Sequence, residues 1–129
     1  MNSEELANRI AAILDENKAE NIAIYDVRGK SSVTDFNVAA TGLSTPHLRS
    51  LVSAVRAALK EEGVPGYRAT GDRDSGWVVL DYIDVIAHVF IREAREYYDL
   101  DSLWAGMEGG ASAPGEPSSP APDSGEARP

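Results

Sequence analysis

Two apolar runs separated by only three residues place the strongest constraint on how this chain folds. Residues 77–81 read WVVLD and residues 85–91 read VIAHVFI, both rich in β-branched and aromatic side chains. The segment 82–84 is too short for anything but a hairpin, so the two strands are predicted to be antiparallel neighbours. Because side chains alternate along a strand, Trp77 and Asp81 are expected on the same face.

The first half of the chain reads as a helix, two strands and a second helix. An apolar stripe predicts a helix over residues 4–17, with Ser3 as its N-cap. β-branched runs predict strands over residues 21–27 and 36–41. The second helix is predicted to start at Thr45, its N-cap, with Pro46 at the first helical position.

The second half adds three strands and a C-terminal helix. Gly63 is the expected terminator of the second helix, residues 67–70 form a short edge strand, and residues 71–76 form a polar loop. After the hairpin, residues 92–104 have a helical period that breaks near Asp99. The order α-β-β-α-β-β-β-α predicts an α/β or α+β domain, with a mixed sheet of about five strands flanked by helices.

The composition of the chain predicts a C-terminal tail and a cellular compartment. Residues 106–129 are dense in Pro, Gly and Ser, which predicts a disordered tail after a folded domain of residues 1–105. The sequence has no cysteine, which removes disulfides and thiolate metal sites, and its acidic N-terminus does not resemble a signal peptide. No run approaches the roughly 20 apolar residues of a membrane span, so a cytoplasmic protein is expected.

The charge of the chain indicates a basic partner. The formal net charge is −9, and eight acids against three arginines lie between Asp72 and Asp101. A field of this sign repels the backbone of duplex nucleic acid and attracts basic proteins. A basic protein within a nucleic-acid machine is therefore a natural partner.

Four carboxylates lie around the hairpin: Asp72, Asp74, Asp81 and Asp84. Two functions are open for them. They could converge on Mg²⁺ for nucleotidyl or phosphoryl transfer, because a hard cation prefers oxygen ligands. Alternatively, they are solvated acids facing a basic partner. No glycine-rich phosphate loop precedes them, and Gly29 to Asp35 (GKSSVTD) is better interpreted as a turn, so the second reading is favoured.

Histidine and aromatic residues complete the candidate site. His88 in the middle of its strand is more typical of a structural or contact residue than of a catalyst, and a pairing with Asp81 or Asp84 would raise its pKa. Trp104 and one of the tyrosines are expected in the core. Trp77, beside acids at a strand start, is as well suited to an interface.

The joint order and spacing of many residues resembles the ribosomal silencing factor family (RsfS, also called iojap-like). The resemblance covers about residues 4–104, and its motifs lie in the first turn, the start of the second helix, the hairpin and the last helix. The matching residues are Asp26, Val27, Gly29, Lys30, Ser31, Ser32, Thr34, Asp35, Thr41, Gly42, Ser44, His47, Gly63, Gly71, Trp77, Asp81, Asp84, Val85, His88, Val89, Arg95, Tyr98, Leu100, Leu103 and Trp104.

The resemblance implies a fold related in shape to nucleotidyltransferases without their catalytic signature, and no enzyme activity or cofactor. It also implies binding to the large ribosomal subunit through ribosomal protein uL14. Occupying that protein would block joining of the small subunit and lower translation when nutrients are scarce. The family further implies a role in large-subunit maturation and a tendency to form homodimers.

The residues and the resemblance together give a hypothesis for the contact surface. Trp77, Asp81, Asp84 and His88 are predicted to form it, with Gly71, Asp72 and Ser75 at its rim. Ile83 occupies a hairpin position where the family has glycine, so a positive φ there would strain the backbone.

Overall fold

The computed structural model describes residues 1–66, 68–72 and 74–108 and contains one five-stranded mixed sheet. Its strands lie in the order β1-β2-β5-β4-β3, and β2 and β5 pair in parallel, whereas the other neighbours are antiparallel. The α+β class predicted from the element order is therefore confirmed. The strands are β1 (Glu20–Asp26), β2 (Phe36–Gly42), β3 (Arg68–Asp72), β4 (Trp77–Asp81) and β5 (Val85–Ile91).

Four helices cover the sheet in the described residues, and the N-caps of the first two lie one residue before the predicted ones. The helices are α1 (Ser3–Glu16), α2 (Thr45–Glu61), α3 (Arg92–Tyr98) and α4 (Leu100–Glu108). The N-cap of α1 is Asn2 rather than Ser3, because the Asn2 side chain accepts a hydrogen bond from the Glu5 amide at 2.8 Å and Glu5 returns one to the Asn2 amide. Ser44, rather than Thr45, caps α2 by accepting from the His47 amide at 3.2 Å.

The terminations of the helices follow the predicted residues. Gly63, with φ of +81°, directly follows Glu62, the C-cap residue of α2. The C-terminal helical segment breaks at Asp99, which adopts a left-handed conformation between α3 and α4. Helix α4 then continues to Glu108, past the predicted domain boundary at residue 105, and the Glu108 carboxylate accepts from the Asp26 amide at 2.7 Å. The predicted tail from residue 109 onwards lies outside the described residues and remains a prediction.

The hairpin is the most accurate part of the prediction. Strands β4 and β5 have the predicted bounds and pair antiparallel. The edge strand β3 extends two residues further than predicted, to Asp72, and shortens the predicted loop; Tyr67, its predicted first residue, lies outside the described residues. Extending it is favourable because both added residues pair with β4, in the register Gly71 to Val78 and Asp72 to Trp77.

The two faces of the sheet are covered unequally. Helices α1 and α2 pack on one face and enclose the main core, which includes Ile10, Leu51, Leu80 and Val89. On the other face, α3 and α4 contact β1, β2 and β5 and form a smaller core around Phe90 and Trp104. The β4–β3 end of this second face therefore stays partly open. In the described ranges, no helix is long and apolar enough to cross a membrane.

Candidate docking site

The open part of the second sheet face is built from alternate residues of β4. Trp77, Val79 and Asp81 are half-buried, whereas Val78 and Leu80 between them are buried on the opposite side. The predicted placement of Trp77 and Asp81 on one face is therefore confirmed. An aromatic side chain and a carboxylate thus lie on the same face of the sheet, at the two ends of β4.

Trp77 is held within a cluster of aromatic rings. Its indole stacks on Phe90 with 5.5 Å between ring centroids and an angle of 18° between planes. The indole also contacts Tyr98, with 4.8 Å between ring centroids, and Tyr98 in turn meets Tyr97 edge to face at 5.1 Å. Tyr97 is 82% exposed and Tyr98 is 41% exposed. The aromatic surface thus continues from the strand onto α3.

His88 lies beneath this surface and orients Trp77. The indole Nε1–H of Trp77 donates a hydrogen bond to Nδ1 of His88 at 3.3 Å, and Nε2 of His88 lies 3.1 Å from the Asn37 side-chain oxygen. Since the indole can only donate, Nδ1 must accept and Nε2 must carry the proton. The neutral Nε2–H imidazole therefore satisfies both partners at once.

The surroundings of His88 lower its pKa rather than raise it. The side chain is 8% exposed, and burial lowers its pKa to about 4, although Asp101 opposes this shift. The sequence-based pairing with Asp81 or Asp84 is wrong, because the hydrogen bonds of the ring go to Trp77 and Asn37 instead. Both ring nitrogens of His88 are therefore satisfied within the protein, and its predicted place in the contact surface stays a prediction.

The two hairpin carboxylates have different environments. Asp81 is half-buried, accepts a hydrogen bond from the Ile83 amide at 2.8 Å and lies 3.8 Å from the Arg68 guanidinium. The side chain of Asp84 is exposed, while its backbone carbonyl accepts from the Phe36 amide at 3.2 Å and so ties the hairpin turn to β2. Asp84 is consequently the more available of the two acids.

Ile83 adopts the positive φ that was expected to strain the backbone at this position. Its φ is +72°, in the left-handed region that β-branched residues avoid. The side chain is 58% exposed. The hydrogen bond from its amide to Asp81 helps to hold this turn.

Two of the proposed rim residues can be placed in the structure. Gly71 has φ of +111°, and a Cβ there would overlap the carbonyl oxygen of Trp77, so glycine is required for the close approach of β3 to β4. Ser75 is exposed in the turn that follows β3. Asp72 pairs with Trp77 in the strand register, and its side chain lies outside the description.

The alternative metal site gains no support from the described residues. Among the described side chains, which do not include that of Asp72, no three histidine or acidic groups are placed so that they could hold a metal ion. Asp81 is turned to the hairpin amide and to Arg68. The GKSSVTD segment is a turn, as interpreted, in which the Ser31 hydroxyl accepts from the Val33 amide at 3.1 Å.

Sequence reasoning missed the polar cluster that holds α3 and α4 on the sheet. Arg95 makes two hydrogen bonds to the Asp101 carboxylate, at 3.0 and 2.8 Å, and another to the Thr41 hydroxyl at 2.9 Å. The Tyr25 hydroxyl donates to Asp101 at 2.7 Å. The signal in the sequence was the match of Arg95 and Thr41 to the family, because Thr41 and Tyr25 are far from Arg95 and Asp101 in the chain.

The surroundings of Asp101 favour its ionised carboxylate. Burial would raise the pKa of Asp101, but the hydrogen bonds from Arg95 and Tyr25 outweigh it and lower that pKa. Burial and the bond to Asp101 raise the pKa of Tyr25. The cluster stabilises α4, whose Trp104 is buried, as predicted, and lies 4.4 Å from the His88 ring.

The fold and the site together define a class: a small α+β domain with a half-open aromatic and acidic sheet face. The family model for "Ribosomal silencing factor during starvation" matches residues 1–128. The chain belongs to this ribosomal silencing factor family.

Individual proteins agree with this assignment. A ribosomal silencing factor RsfS from Haemophilus influenzae is 36% identical over 92 residues, which cover 71% of this chain and 90% of the relative. A crystal structure of a Chromobacterium violaceum protein is similar with a TM-score of 0.77 and 30% identity, covering 89% of this chain and 92% of that one. The mouse protein named "Mitochondrial assembly of ribosomal large subunit protein 1" is 28% identical over 98 residues, 74% of this chain and 43% of its own length.

Proposed function

We propose that this protein represses translation by binding the large ribosomal subunit through ribosomal protein uL14 and sterically blocking the small subunit. The repression acts in the cytoplasm under nutrient limitation, and a role in large-subunit biogenesis follows the name of the mouse relative. Membership of the silencing family supports a ribosomal role, and its name describes silencing rather than a reaction.

The observation that carries the proposed contact is the fixed orientation of Trp77. Its indole is stacked on Phe90 and hydrogen bonded to His88, yet it remains half-buried rather than enclosed. A rigid, partly open aromatic side chain loses little conformational entropy when a partner covers it. Such residues often contribute a large share of the binding energy of an interface.

Charge supports a basic partner on the same surface. Asp84 is exposed beside the half-buried Asp81, on a chain whose net charge is −9. Complementary charge accelerates encounter, and buried aromatic contacts slow dissociation. We assign direct contacts to Trp77, Asp81 and Asp84, and the rim to Gly71, Asp72 and Ser75.

His88 has a different part in this proposal. Because it is 8% exposed and both ring nitrogens are engaged, it acts by positioning Trp77 rather than by reaching the partner. The adjacent Tyr98 extends the contact surface.

A subunit-joining experiment tests the proposal. Purified ribosomal subunits are mixed with the protein, and sucrose-gradient sedimentation measures where it travels and whether joined ribosomes form. The protein is expected with the large subunit, while joined particles decrease. Co-sedimentation with the small subunit, or undiminished joining at saturating protein, would contradict the proposal.

The same gradient tests the surface and the homodimer. Trp77→Ala should weaken large-subunit binding, whereas Leu43→Ala, which removes an exposed apolar side chain outside the proposed surface, should leave it unchanged. Analytical ultracentrifugation of the free protein should give the mass of a dimer, and a monomer at all concentrations would contradict that part.

A further inference from the structure

A second surface feature lies on the opposite face of the sheet from Trp77. An open groove of about 790 Å³ runs between α2 and the β3–β4 end of the sheet. Its lining mixes apolar side chains with polar and charged ones, a glycine and one aromatic ring; those that matter here are Ser53, Arg56, Lys60, Gly66, Arg68 and Tyr82. The proposed docking site does not use this groove.

The groove is locally cationic in a strongly acidic protein. Arg56 and Lys60 are exposed, four residues apart on one face of α2, and neither forms an ion pair within the described part of the chain. Arg68 lies at the rim, where Asp81 is 3.8 Å from its guanidinium. Two cationic side chains therefore face solvent together although the chain carries a net charge of −9.

The floor of the groove contains a polar group. Tyr82 is 8% exposed and lines the groove, and no residue in the described ranges hydrogen bonds to its hydroxyl. Burial raises the pKa of Tyr82, and the nearby Arg56 guanidinium opposes that shift. Gly66 lies against the ring, since a Cβ there would come within 3.3 Å of it. The phenol is thus a buried donor next to an arginine.

We propose that this groove binds a small polyphosphate ligand of about nucleotide size. Arg56 offers a planar fork of N–H donors for phosphate oxygens, and Lys60 adds a point charge. Small-molecule sites in proteins commonly occupy roughly 300–1,000 Å³, a range that includes the volume of this groove.

The size of the ligand follows from the balance of charge. Screening limits the reach of a charge to about 8 Å at physiological salt. A compact polyphosphate lies mainly within the local field of Arg56 and Lys60, whereas a long RNA extends beyond it over a protein whose net charge is −9. The groove consequently favours a small phosphate ester over a polymer.

Calorimetry with wild-type protein tests this inference, using inorganic tripolyphosphate, GTP and a short single-stranded RNA as probes. Tripolyphosphate and GTP are expected to bind more tightly than RNA. The double variant Arg56→Ala/Lys60→Ala should weaken their binding at least about tenfold, because two charge-assisted contacts are lost. Lys18→Ala/Lys30→Ala removes two exposed positive charges that do not line the groove and should leave the affinity unchanged.

Several outcomes would overturn the inference. They are an absence of binding at millimolar tripolyphosphate and GTP, equal affinities of the two double variants, and tighter binding of the RNA through Arg56 and Lys60. Amide chemical-shift changes in the wild-type protein give a readout that needs no variant: they should centre on Ser53, Arg56 and Gly66, and a different location would refute the site. Because the groove and the docking site lie on opposite faces, large-subunit binding by the Arg56→Ala/Lys60→Ala variant should persist.

Discussion

The indole nitrogen of Trp77 donates to Nδ1 of His88 over 3.3 Å, and this bond joins the partly open surface to the buried interior. It fixes the direction of the indole and requires an imidazole without a proton on Nδ1. A protonated His88 would present one N–H to another, so Trp77 would lose its partner. The proposed docking surface therefore depends on the protonation state of a buried residue.

The two tryptophans are expected to respond differently to truncation. Trp77→Ala should weaken large-subunit binding by about 2 kcal/mol, because Trp77 is a half-open anchor. Trp104→Ala should lower the free energy of unfolding by about 3–5 kcal/mol, because Trp104 is only 6% exposed. Urea unfolding and subunit-binding titrations separate the effects. Equal loss of binding in a fully folded Trp104→Ala variant would argue against this division.

Stability should fall in mildly acidic solution because of His88. The unfolded chain takes up the proton near the ordinary pKa of 6.5, whereas the folded protein does so only near 4. The contribution is complete above pH 6.5 and is lost as the pH falls towards 4, by roughly 3 kcal/mol in total. His88→Gln keeps a donor and an acceptor but does not titrate. The difference in unfolding free energy between wild type and this variant should shrink between pH 7 and 4; a constant difference would contradict the assignment.

Hairpin charge should affect the rate of association more than the rate of dissociation. The double variant Asp81→Asn/Asp84→Asn keeps the oxygen acceptors but removes two charges, so association with the large subunit should slow several-fold at low salt. The effect should diminish at high salt, where charges are screened. Asp15→Asn/Glu16→Gln, on exposed positions of α1, is the matched control. Equal slowing by both variants would point to net charge alone.

The Arg95–Asp101 pair should be needed for docking of α4. Arg95→Ala is expected to lower the free energy of unfolding by about 2 kcal/mol or more, because it leaves a partly buried carboxylate without its cation. Arg95→Lys should recover only part of this, since lysine cannot reproduce the two-pronged contact. Urea unfolding measures both, and a lysine variant as stable as wild type would show that charge alone suffices.

Relief of strain at Ile83 should stabilise the protein. Ile83→Gly is expected to raise the free energy of unfolding by about 0.5–1 kcal/mol, since glycine accepts a φ of +72° without steric cost. Ile83→Val keeps the branched Cβ and should give no gain. Thermal and urea unfolding provide the measurement. A glycine variant less stable than wild type would indicate that the exposed isoleucine makes a compensating contact.

The accuracy of the sequence predictions followed the range of the interactions involved. Strands β4 and β5 were placed at the correct residues because alternation and a three-residue connection are local properties. The N-caps of α1 and α2 were each one residue late, since adjacent polar residues compete for the same role. The partners of His88 were predicted wrongly because Asn37 lies on β2, a strand distant in sequence.

Local sequence patterns specify the order of elements, the hairpin, the shared face of Trp77 and Asp81, and the unfavourable position of Ile83. Which part of that face is covered depends on how the helices pack. Helices α3 and α4, held by Arg95, Asp101 and Tyr25, cover β5 but leave β4 partly open. His88 is thereby enclosed while Trp77 is not, although neighbouring strands carry them on one face. Alternation assigns a side chain to a face, but its burial depends on packing between distant segments, which no local pattern specifies.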